Sequence, residues 1–365
     1  MLWYAIASLL PAGLILMACL LGGVWIWLSL LVMTAHVWVM DRLWDGVLPV
    51  QDGSAWARWL SVVLGLGHFA VLVLSVAVLG QGELTVAQGL GLGLAAGLFL
   101  GQVSNSNAHE LIHRAARWER ALGVAVYVSL LFGHHASAHR RVHHVHVATG
   151  RDPNSARLGE SYWHFLPRAW VGSFVAGFRA ETALRRGVGP GHPYVIYVGG
   201  AVVALWMAWA LAGSGGALAL LALAGYAQAQ LLLADYVQHY GLRRRVDAQG
   251  RAEPAGPQHA WNAPHWYSGA MMLNAPRHSD HHMNPSRIYP ALRLEDGMPV
   301  WPRSMPVMAL LALIPPLWRR VMDHRVAIVS GRAGSDLPQS GHAEAIRDSA
   351  AAVGSGGVGP GPDVG

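Results

Sequence analysis

Six apolar runs, at 3–21, 23–40, 59–80, 85–106, 194–212 and 216–234, constrain this chain more than any other feature. About 20 helical residues cross the hydrocarbon core of a bilayer. Inside that core each backbone N–H and C=O needs a partner within its own segment, which makes helix the expected form. The remainder agrees: of 365 residues 53% are hydrophobic and only 13% charged, too apolar a balance for an ordinary soluble domain. The first run lacks a basic start and a polar cleavage region, and the second follows almost directly. The pair therefore reads as a retained helical hairpin.

Charge orients the spans. The sequence contains no lysine, all 26 basic residues are arginine, and the first is Arg42. The three connections on one side read "LGGV", "GQGELT" and "AGSGG" and carry no positive charge. The positive-inside rule then assigns the other side to the cytoplasm, together with both termini and the segments 107–193 and 235–302, in a bacterial-type inner membrane. Contact with anionic headgroups accounts for the net charge of +6. No basic patch interleaves with aromatic residues in a soluble module, so nucleic acid is not an expected partner. A single cysteine, Cys19, permits no internal disulfide, iron–sulfur cluster or pair of C-x-x-C knuckles. A redox activity would draw its electrons from another protein.

The expected architecture is an all-α integral membrane protein of six transmembrane helices, with a membrane-embedded domain over 1–326 and a disordered Gly/Ser/Pro-rich tail over 327–365. Gly89, Gly93, Gly97 and Gly101 lie four residues apart on one face of the fourth span. They suit close helix approach, or a groove for a ligand tail. Residues 118–133 are apolar but short for a crossing, as in a half-inserted helix, and 160–190 mixes Trp, Phe and Arg like a helix lying at the interface.

Of 20 histidines, nine form a pattern. "HELIH" puts His109 and His113 at i and i+4 on one helical face. "HRRVHH" repeats the spacing with His139 and His143 and adds His144. "HSDHH" supplies His278, His281 and His282, and His239 stands where the sixth span leaves the membrane. All four clusters fall on the arginine side, so they can meet. Imidazole suits iron, zinc, copper and nickel, and nine donors exceed the three or four that one zinc takes. Two metals are the simplest answer, and many neutral nitrogen donors with few carboxylates would suit two redox-active irons. "HE-x-x-H" alone would suggest a zinc protease, but that leaves the other clusters unexplained. A metal transporter would want ionisable groups at mid-membrane, where these spans hold little beyond His68. His134, His135, His146, His259 and His265 read as supporting or structural.

With these residues in view, the chain resembles the membrane-bound di-iron alkane 1-monooxygenases, within the wider group of histidine-rich desaturases and hydroxylases. The resemblance covers about 1–326 and rests on "NAHELIHR", "HRRVHHVHVATGRDPNSARLGES", "DYVQHYGLRR", "AWN" and "RHSDHHMNPSRIYPALR". It implies that the nine histidines bind two iron ions, with O2 as co-substrate and no flavin or NAD held by this chain. It also implies a rubredoxin-type electron donor with its own NAD(P)H-dependent reductase. The implied reaction hydroxylates the terminal methyl group of n-alkanes. Alternatives are a xylene or alkylaromatic methyl monooxygenase and, further off, a fatty-acid desaturase or hydroxylase. Two departures bear on this: Ala138 and Gln238 stand where many alkane hydroxylases carry glutamate, and xylene monooxygenases resemble the chain there. Glu110 and Asp280, each beside a histidine, are candidates to orient imidazoles or relay protons, or else to pair with arginines such as Arg114 or Arg277. Met33 occupies a place where a bulkier Trp would shorten a substrate channel.

Overall fold

A computed structural model of the chain describes residues 1–44, 46–51, 55–187, 189 and 191–332. Its secondary structure is helical apart from isolated bridges. Five helices are long and apolar enough to cross a membrane: α1 (Leu2–Leu21), α2 (Val24–Leu43), α3 (Ala55–Gln81), α4 (Val86–Ile112) and, after three intervening helices, α8 (Pro193–His239). Between α4 and α8 come α5 (Arg117–Ser129), α6 (residues 135–146) and α7 (Tyr162–Arg185). The chain then forms α9 (Trp266–Met271), α10 (His278–Met283), α11 (Met305–Ala312) and α12 (Pro315–Arg332).

Local chemistry fixes several of the ends. α4 opens on a reciprocal cap in which Thr85 accepts from the Gln88 backbone while the Gln88 side chain accepts from the Thr85 backbone. α7 opens on Ser161, whose hydroxyl accepts from the His164 N–H, and ends at Arg186 in the left-handed region.

α8 spans 47 residues, about 70 Å if straight and more than twice a bilayer core. It is not straight. Ala212 and Gly213 leave helical geometry, and Gly213 takes a φ of 59° that favours glycine. A Cβ added at Gly216 would collide with the carbonyl oxygen of Ala208, although eight residues of straight helix would separate the two by about 12 Å. The chain therefore folds back within "AGSGG", and the two arms match the apolar runs at 194–212 and 216–234. This turn packs on the end of α3, where a Cβ added at Gly80 would stand 2.6 Å from the Gly216 nitrogen.

The outer surface is apolar, with Leu66, Leu90, Trp206 and Leu218 all exposed. The glycine stripe divides. A Cβ added at Gly97 would meet the Tyr226 ring and one at Gly101 the end of the Gln230 side chain, both on α8, whereas at Gly89 it would meet nothing within 4 Å among the described residues. α7 presents exposed Trp163, Val171 and Leu184 on one face and buries Phe165, Ala169 and Gly177 on the other, as an interfacial helix should.

At the C-terminal end, α12 buries Trp318, Met322 and Val326, with the Trp318 ring against Tyr236 and Tyr240. Tyr240 also donates to Asp323 at 2.7 Å. This helix continues six residues past the boundary expected at 326, and 333–365, the rest of the expected tail, lies outside the described residues.

Candidate metal centre

Four elements carry the nine histidines to one place. His109 and His113 sit at the end of α4, His139, His143 and His144 on α6, His239 at the last residue of α8, and His278, His281 and His282 on α10. They sort into two groups, His109, His113, His139, His144 and His281 in one and His143, His239, His278 and His282 in the other. Within each group the ligand atoms lie within 4.8 Å of one another. The groups adjoin, since the His144 and His282 rings stand 4.7 Å apart.

The division follows from backbone form. Residues His139–His143 make a π-helical turn, in which bonding runs from i to i+5. His139 is thereby brought to His144, with their Nε2 atoms 2.9 Å apart, and His143 turns to the second group. His139 and His143, expected together from their i, i+4 spacing, keep their rings 5.2 Å apart but fall in different groups. On α10, His281 joins the first group, while His278 and His282 join the second with Nε2 atoms 3.1 Å apart.

This arrangement fits metal ions. Neighbouring Nε2 atoms stand 2.8 Å apart between His109 and His139, 3.0 Å between His144 and His281, and 3.1 Å between His239 and His278. Two nitrogens bound at right angles about 2.1 Å from one ion would be about 3 Å apart. Further, the Nε2 atoms of His113 and His143 are buried without a hydrogen-bond partner among the described residues, a costly state for a polar atom that ligates nothing. Burial, and then the mutual repulsion of neighbouring imidazoles, holds His139, His144, His278, His281 and His282 well below the usual histidine range, so they are neutral donors.

His143 is the exception. Burial pulls its pKa down, but the charge and hydrogen bond of Asp152 outweigh that and raise it. Asp152, equally buried, is lowered in turn by His143 against the effect of burial. Asp152 Oδ2 lies 2.8 Å from His143 Nδ1 and also accepts from the Ser155 hydroxyl at 2.6 Å, while its Oδ1 accepts from the Asn154 backbone. A carboxylate on the far nitrogen fixes a ligand imidazole's tautomer and orientation. Sequence reasoning assigned Asp152 no role, although it lies inside the quoted "GRDPNSAR". Similarly, the His239 Nδ1 faces the carbonyl oxygen of His259 at 3.3 Å.

The two carboxylates singled out from sequence turn to arginines. Glu110 pairs with Arg114 at 2.9 Å and accepts from the Tyr289 backbone. Asp280 pairs with Arg287 at 2.5 Å and accepts from Asn284 and the Arg293 backbone. Arg277 instead donates to the carbonyls of Leu292 and Leu48. Gln238 donates its amide to the Ala275 carbonyl at 3.1 Å, a bond for which an ionised glutamate has no proton. Ala138 is buried against Gly177 of α7. Among the remaining histidines, His68 meets the Ser129 hydroxyl at 2.8 Å.

A cavity of about 710 Å³ reaches the site. Its inner end is lined by His109, His139 and His278, which come from both groups, and its wall by Met33, Leu98, Leu233 and Met272. Toward the surface it is lined by Trp163 and Leu310, both exposed on the apolar exterior.

Apolar helices of membrane-crossing length with a polyhistidine centre at their ends define a multi-pass membrane metalloprotein of the histidine-rich desaturase and hydroxylase class. The family model for fatty acid desaturases matches residues 85–305, a stretch holding all nine histidines. Within that class the chain belongs to the alkane 1-monooxygenase family. It is 34% identical to alkane 1-monooxygenase 1 of Pseudomonas aeruginosa over 72% of this chain and 74% of that protein. It is 32% identical to the alkane 1-monooxygenase of Ectopseudomonas oleovorans over 80% and 73%. A xylene/toluene monooxygenase hydroxylase component of Pseudomonas putida is 28% identical over 81% of each chain.

Proposed function

We propose that the chain is an alkane 1-monooxygenase whose nine histidines hold two iron ions, five in one ligand group and four in the other. The observation that carries this reading is an apolar cavity whose inner end meets imidazoles of both groups. Iron bound there would supply dioxygen activation and oxidation of a C–H bond. The overall change is RCH3 + O2 + 2 electrons + 2 protons giving RCH2OH + H2O, with the electrons delivered by a rubredoxin-type protein reduced by a separate NAD(P)H-dependent reductase.

The chain's own residues do three things. The cavity wall selects by shape, because an alkane offers no polar handle and each methylene withdrawn from water contributes about 0.8 kcal/mol. Neutral, buried imidazoles remain available as donors, and Asp152 fixes His143. The apolar wall keeps bulk water from the inner end of the cavity.

In this reading the protein crosses a bacterial inner membrane six times, the two arms of α8 counting as two spans, with the histidines and both termini in the cytoplasm. Residues 1–326 act as the membrane-embedded unit and 327–365 as an appendage. The confinement of arginine to one side and the packing of the "AGSGG" turn on the end of α3 support that topology.

Product analysis tests the substrate. Purified protein in lipid, supplied with rubredoxin, reductase and reduced nicotinamide, is expected to convert octane or hexadecane to the primary alcohol with matching oxygen uptake. Conversion of xylene alone would move the assignment to an alkylaromatic methyl hydroxylase, and desaturation of an acyl thioester would reject both.

A further inference from the structure

The cavity is apolar along most of its wall, yet His135 and Asp235, among the buried side chains on it, have hydrogen-bonding capacity that the protein leaves unused. His135 is 3% exposed and lines the cavity one helical turn before His139. Its ring stacks on Phe132 at 5.4 Å and meets Tyr127 edge-on at 5.0 Å, and neither ring nitrogen hydrogen-bonds to a protein group among the described residues. Asp235 is 6% exposed and lines the same cavity. Its Oδ2 accepts from the Asn154 amide at 2.6 Å, while its Oδ1 has no hydrogen bond among the described residues. Tyr127 lines the same cavity and touches the His135 ring, and burial, then the charge of Asp235, raises its pKa well above the usual range.

Groups of this kind are costly in a cavity whose only occupant is a hydrocarbon, because nothing in an alkane answers an N–H or a carboxylate oxygen. A hydroxyl answers both, with one proton to give and lone pairs to receive. We propose that His135 and Asp235 form a hydroxyl-binding subsite on the cavity wall, and that its ligand is a long-chain primary alcohol. Asp235 accepts the alcohol proton, and His135 donates its N–H to the alcohol oxygen. The inference rests on the proposed function above and adds a consequence: the alcohol is held more tightly than the hydrocarbon it comes from and competes with it for the cavity.

The test is equilibrium binding, without turnover, of 1-decanol and decane to the iron-loaded full chain in phosphatidylcholine nanodiscs. The ratio of the two affinities is compared between wild type and variants, so that partitioning into lipid cancels. His135→Phe, which keeps the stack on Phe132, and Asp235→Leu are each expected to lower the alcohol-to-alkane ratio about tenfold. Asp235→Asn keeps an acceptor and retains most of the preference. Should Asp235→Leu fail to fold, His135→Phe carries the comparison, with Asp235→Asn as the variant expected to keep the preference. A ratio unchanged in His135→Phe, with decane still bound, would overturn the subsite alone. Binding of neither ligand by wild type would overturn the hydrocarbon reading of the cavity, and the subsite with it.

Discussion

Among single residues, Asp152 has the clearest expected effect. It is buried, holds the Nδ1 side of His143, and is itself held by Ser155 and Asn154. Removing its charge in Asp152→Asn should loosen metal at the His143 group about tenfold, measured as faster iron loss during dialysis against a chelator. Retention equal to wild type would show that His143 needs no such anchor. The sequence could not reveal this residue, since it sits nine positions beyond His143 in a segment with no helical period. For Glu110 and Asp280 the sequence left two readings open, and the arginine pairing is the one that forms, with Arg114 as expected and with Arg287 rather than Arg277. Consecutive residues on a helix point about 100° apart, so standing beside a histidine in sequence turned each carboxylate away from the imidazoles, toward Arg114 and Arg287. The nine histidines themselves were readable, because their spacing and the order of the spans already brought them to one side.

At the level of elements, two departures from ideal helix decide the architecture. The π-helical turn over His139–His143 assigns neighbouring histidines to different groups, which a period of 3.6 residues does not foretell. The turn at Ala212 and Gly213 was legible in outline, because "AGSGG" interrupts an apolar stretch too long for one crossing. Its tightness was not, since only the folded chain shows Gly216 against the Ala208 carbonyl and Gly215 against that of Gly80. Gly216→Ala must push backbone apart here, where no flexible side chain can give way. It should destabilise the protein by about 1–3 kcal/mol, seen as a lower thermal midpoint in detergent. Gly89→Ala, which meets nothing, serves as the control. Equal midpoints for the two variants would contradict the packed turn.

Over the whole molecule, separate lines of construction converge. Apolar helices long enough to cross a bilayer frame the chain, and both α4 and α8 deliver histidines at their C-terminal ends. The cavity then runs from the apolar exterior to those imidazoles, so a hydrocarbon can reach the centre without passing through water. α12 was harder to foresee, because its Trp, Met and Val are too sparse to read as a span, and Trp318 meets Tyr236 and Tyr240 only in the folded chain. The central claim is that two separate nitrogen cages each hold iron. Elemental analysis of the protein purified from iron-replete cells tests it most directly, beside a double variant carrying His239→Ala and His282→Ala. The account predicts about two irons per chain in the wild type and about one in the variant, given that each cage supplies enough donors for its own ion. A single equivalent in the wild type, or zinc in place of iron, would contradict it.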